Sequence, residues 1–83
     1  MVNKMKKSTF KVGDIVKVID KYNIRFYGTG NFRVEHIETD STDQLIFASD
    51  NKGRFIKGLY GYRFAKAYGE EEYLEAINGG QND

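Results

Sequence analysis

The order of residues in this 83-residue chain points to an all-β protein, a five-stranded antiparallel barrel with a short helix at its C-terminal end. Short runs of β-branched and aromatic residues recur along the chain, each closed by a cluster of Gly, Asp, Asn or Ser. The helical signature, acids followed by apolar residues at helical spacing, comes once, after Gly69. The length suits one domain, and no segment recurs with the period of a repeat protein.

Residues 10–14, Phe-Lys-Val-Gly-Asp, lead into the first strand, with Gly13-Asp14 as a tight turn. Residues 14–19 read Asp-Ile-Val-Lys-Val-Ile, a β-branched run with Lys17 facing solvent. Residues 20–31 lack a clean period. They are expected to form a long loop or irregular hairpin in which Gly28 and Gly30 adopt angles denied to other residues. The second strand, 32–39, sets Phe32 and Val34 against Arg33 and Glu35, and the pattern slips at Ile37, which predicts a bulge. Residues 40–43 form a polar turn before the third strand, 44–49, and 50–53 form a hairpin turn. In the fourth strand, 54–57, either Phe55 or Ile56 faces inward, but not both. Residues 58–61 break the pattern as a single tight helical turn, and the fifth strand, 62–68, alternates again.

The tail differs. Glu70, Glu71 and Glu72 stand where a helix N-terminus favours acids, and Tyr73, Leu74 and Ile77 make one apolar face. The expected organisation is a flexible basic N-terminus over 1–9, the barrel over 10–68, a short acidic amphipathic helix over 69–78 and a flexible tail over 79–83.

The residues of 10–19, then Phe32-Arg33-Val34, Asp50-Asn51-Lys52-Gly53 and Tyr62-Arg63-Phe64, resemble the Src-homology-3-like (SH3-like) small barrels. Within these they are most similar to KOW-type and Tudor-type domains and to short bacteriophage proteins. The resemblance spans about residues 10–68. Its motifs shape a barrel and name no ligand, and members of the broader group bind RNA, DNA, ribosomal or polymerase surfaces, or peptides. It implies a phage-type protein that acts by occupying a surface on a host protein.

Composition narrows the function. The formal net charge is +1, far from that of a dedicated duplex binder. There is no cysteine, so disulfides and Cys-based zinc sites are excluded, which fits a cytoplasmic setting. No run approaches the ~20 apolar residues of a membrane span, so no membrane partner is expected. His36 is the one histidine; in a strand it shares a face with Glu38 and not with Glu35, and it is read as a structural residue. Gly28-Thr29-Gly30-Asn31 lacks the Lys-Ser/Thr and helix of a phosphate loop, and Asp50-Asn51-Lys52-Gly53 lacks the Glu of a calcium loop. The expectation is therefore no enzyme, no cofactor and no metal.

The compositional excess is aromatic, with six Tyr and six Phe. Tyrosine and arginine are the residues that dominate protein-binding hot spots. The candidate partner-binding set is Tyr22, Arg25, Phe26 and Tyr27 from one region, with Arg54, Tyr60, Tyr62 and Arg63 from another, brought together across one face of the barrel. Ile24, Phe26 and Leu59 fit either that face or the core. Tyr73, Leu74 and Ile77 either dock the terminal helix on the open end of the barrel or form a second candidate contact. The favoured partner is a protein, with a bacterial host protein implied by the resemblance. The alternative is RNA or DNA held on the same Tyr/Arg face. The expected state is a monomer or a weak homodimer through an edge strand.

Overall fold

The computed structural model describes residues 7–69 together with Glu71 and Leu74. The strands are β1 (Ile15–Val18), β2 (Asn31–Thr39), β3 (Gln44–Ser49), β4 (Phe55–Tyr60) and β5 (Phe64–Tyr68). They form one antiparallel five-stranded sheet in the order β4-β3-β2-β1-β5. A helix, α1 (Lys21–Tyr27), joins β1 to β2, and a 3-10 turn (Gly61–Arg63) joins β4 to β5. The sheet is open. Among the described residues β4 and β5 are its two edges, and no ladder closes it into the expected barrel.

The sheet nevertheless gathers one core from all five strands: Val16 and Val18, Phe32 and Val34, Ile46 and Ala48, Ile56, and Phe64. These side chains are 0–5% exposed, although among the described residues no second sheet and only the short α1 and 3-10 turn are present to cover them. The strands therefore curl over their own core. Three register irregularities supply that bend, at Ile15/Val16, at Val34/His36 and at Ile46/Phe47. The first lets Ile15 and Val16 both be buried although they are neighbours. The bulge in β2 falls at Glu35, earlier than the slip at Ile37 indicates. In β4 it is Ile56 that turns inward, while Phe55 is exposed.

Two segments depart from expectation. Residues 20–31 are not a long loop, because most of them form α1. Asp20 caps the helix by accepting from the Asn23 backbone N–H at 3.2 Å, and Gly28, at φ +80°, ends it with its N–H on the Ile24 carbonyl. Seven residues are too few to be helical alone. Ile24 and Tyr27 provide the docking that holds them, packing against the core with the Tyr27 ring edge-on to Phe32 at 6.3 Å. The helical turn expected over 58–61 occurs over Gly61–Arg63, since β4 continues to Tyr60.

Of the basic N-terminus, residues 1–6 lie outside the described residues. Ser8 and Phe10 are firmly held. The Ser8 N–H and hydroxyl donate to the Asp43 carboxylate at 2.7 and 2.9 Å. The Gln44 amide accepts from the Phe10 N–H and donates to its carbonyl. The helix expected over 69–78 lies outside the described residues apart from Gly69, Glu71 and Leu74, and the tail over 79–83 lies wholly outside them.

Candidate functional site

The Tyr and Arg residues singled out from sequence fall into two neighbouring groups. The first is the outward face of α1. Tyr22 and Phe26 are one turn apart, 66% and 60% exposed, with their rings edge-to-face at 5.3 Å. Lys21 and Arg25, also one turn apart and exposed, lie beside them on the same outward side. Tyr27 does not belong to this surface, because the position that makes it helical also turns it into the core. Ile24 likewise packs inward.

The second group surrounds the 3-10 turn. Tyr60 and Tyr62 stack at 5.8 Å with 14° between their planes, and the Arg63 guanidinium lies over the Tyr62 ring at 5.0 Å. Tyr62 is exposed, whereas Tyr60 is half-buried and donates its hydroxyl to Asp40 at 2.7 Å. That bond holds the Asp40 carboxyl below the usual range and pushes the Tyr60 phenol above its own. Leu59, on the strand before, packs against the core.

One ion pair joins the groups. Arg63 Nη1 stands 3.6 Å from Asp20 Oδ2, the carboxylate that caps α1. The Asn23 side-chain amide, then its backbone N–H and Arg63, hold Asp20 below the ordinary carboxylate value. The backbone repeats the link, as the Ile19 N–H donates to the Arg63 carbonyl at 2.9 Å. Arg54 sits at the other end of the helix, against Gly28, and pairs with Asp50 at 3.2 Å. Both of these arginines of the candidate set are therefore already engaged within the molecule.

Beneath the 3-10 turn lies a residue that sequence reasoning passed over as part of a polar turn. Asp43 is 2% exposed, and its carboxylate accepts from both donors of Ser8 and from the Tyr62 N–H at 3.0 Å. Burial works against its charge, but the donors of Ser8, Gln44 and Tyr62 together hold its pKa below the usual 3.8. Gly61 is required here because a Cβ would collide with Ser8. The clasp fixes the turn that presents Tyr62.

Of the second candidate contact, Leu74 is 52% exposed, while Tyr73 and Ile77 lie outside the described residues. His36 pairs with Glu38 at 3.2 Å, as the strand periodicity indicates, with both side chains open to solvent. Among the described residues no three His, Cys, Asp or Glu gather as a metal site, and no helix is long and apolar enough to cross a membrane.

Comparison with known proteins finds no matching family model, no matching curated protein and no matching solved structure.

Proposed function

We propose that this protein is a non-catalytic binding module of the SH3-like type, and that its ligand is another protein taken on the face formed by α1 and the 3-10 turn. One observation carries the reading. The Tyr22–Phe26 pair stands largely in solvent on a docked helix, with the stacked Tyr62 held next to that helix through Arg63 and Asp20. Large rings left exposed in a cluster, on backbone fixed from below, are how interface anchors are presented. The three bulges that curl the sheet, and the turn before the last strand, support the SH3-like assignment.

The resemblance to short bacteriophage proteins makes a bacterial host protein, met in the cytoplasm, the partner class to try first. Nucleic acid is the weaker reading, because Arg54 and Arg63 are neutralised by Asp50 and Asp20 and the α1 rings meet edge-on rather than as a parallel slot for bases. The test is photo-crosslinking from position 22 in bacterial extract, with a doubly substituted Tyr62→Ala, Phe26→Ala chain as control. A discrete protein adduct, lost in the control while circular dichroism is unchanged, is expected. Adducts that persist in the control, or that disappear with nuclease, would overturn the reading.

A further inference from the structure

The outward face of α1 is charged as well as aromatic, and that charge selects a partner. Around this helix almost every ionic group is satisfied within the chain. Asp20 is occupied by Asn23 and Arg63, and Asp50 by Arg54. Lys21 and Arg25 are the exceptions. Both are exposed, both project on the solvent side of the helix, and neither has a carboxylate partner among the described residues. A pair of unpaired cations one turn apart therefore flanks a pair of exposed rings one turn apart.

We infer that the α1 face takes an acidic protein segment, in which an aromatic or aliphatic side chain packs against Tyr22 and Phe26 while neighbouring carboxylates pair with Lys21 and Arg25. The inference rests on the protein-binding reading above and narrows it to one chemistry. The ring pair supplies apolar contact area, since Tyr and Phe each bury a large surface with few rotatable bonds. The cations supply direction and on-rate, because opposite charge steers encounter and repels basic competitors. Arginine adds a planar fork that carboxylates can engage through two hydrogen bonds.

A nucleic-acid strand fits less well. It needs a basic track that follows its backbone, and two of the arginines nearest this face, Arg54 and Arg63, are already paired with Asp50 and Asp20. Across the sheet the exposed acids Glu35, Glu38 and Asp40 follow one another along and just beyond β2, and Lys66 is drawn towards buried Asp14 at 3.7 Å.

The full-length chain is titrated by fluorescence anisotropy with three dye-labelled probes: a short peptide alternating Asp and Glu with Leu and Phe, the same peptide with Asn and Gln for the acids, and oligo-dT. The acidic peptide is expected to bind, more weakly as salt rises, and the amide peptide to bind at least about tenfold more weakly. Lys21→Glu with Arg25→Glu should erase that difference. Tyr22→Ala with Phe26→Ala should weaken both peptides together, by about tenfold.

Equal binding of the two peptides would overturn the charge selection yet leave the protein-binding reading standing. Tighter binding of oligo-dT would overturn both. If neither peptide binds, or if the charge-reversed chain keeps its preference for the acidic one, the assignment to Lys21 and Arg25 is wrong. The crosslinking experiment then judges the broader reading alone.

Discussion

The two ends of the aromatic face are built on opposite principles. Around the 3-10 turn, polar groups converge on a single buried carboxylate, Asp43, which ties together Ser8, Gln44 and Tyr62. On α1 no residue is buried, and the helix is held by its cap, by half-buried Ile24 and Tyr27, and by the Arg63–Asp20 ion pair at its start. A turn pinned by charge-assisted hydrogen bonds is rigid because each donor would be left bare if it moved. A helix of seven residues docked through Ile24 and Tyr27 tolerates changes on its outer face better, since Tyr22 and Phe26 stand largely in solvent. The molecule thus places its buried polar network at one end of the face and its exposed rings and cations at the other.

That division makes the two ends respond differently to substitution. The largest effect is expected for Asp43→Ala. It strips the acceptor from the Ser8 and Tyr62 N–H groups, and its cost of about 2–4 kcal/mol is comparable to the roughly 3–5 kcal/mol total stability expected for a domain of this size. Chemical denaturation measures it, and Asp43→Asn, which keeps one acceptor oxygen, should recover part of the loss. Gly61→Ala comes next. Its Cβ would stand 2.6 Å from Ser8 Cβ, and displacing the N-terminal segment should cost about 1–3 kcal/mol.

Acid should reproduce the weakness of the Asp43 end without mutation. The Asp43 pKa is lowered in the folded protein, so its stabilising contribution is complete above the ordinary value of 3.8 and is lost as pH falls through the folded value. Asp20, Asp40 and Asp50 shift in the same direction and add to that slope. A melting temperature that falls on acidification below about pH 4, with a shallower fall in Asp43→Asn, is the expected result. An equally steep fall in the variant would remove Asp43 from the account.

The smallest effect on stability belongs to α1. Tyr22→Ala with Phe26→Ala should change the unfolding free energy by less than about 1 kcal/mol while removing capture of the partner. A large loss of stability from this pair would mean that the rings support the fold, and the contrast between the two ends would collapse.

Much of this was legible from residue order, and the reasons are local. Alternation in Phe32-Arg33-Val34 and the β-branched run at β1 follow from the two-residue period of a strand, which needs no knowledge of the rest of the chain. The polar turns at 40–43 and 50–53 announce themselves through residues that bond their own backbone, as the Asp40 and Asp50 carboxylates do. The helix α1 was harder to see. Its signals were present in Asp20 and Gly28, but fewer than two turns separate them, too short for a helical period to stand out.

What residue order leaves open is every relation between distant segments. Residue type cannot tell the exposure of Tyr22 from the inward packing of Tyr27, since both are tyrosines in one aromatic run. Only the phase of the helix separates Tyr22 and Phe26 from Tyr27. Asp43 reads as one more turn aspartate until Ser8, distant in the chain, is brought onto it. Periodicity and turn chemistry are short-range and survive in one dimension. Burial, ion pairing and the direction in which the open sheet curls depend on contacts made across the chain, and these arise only when it folds.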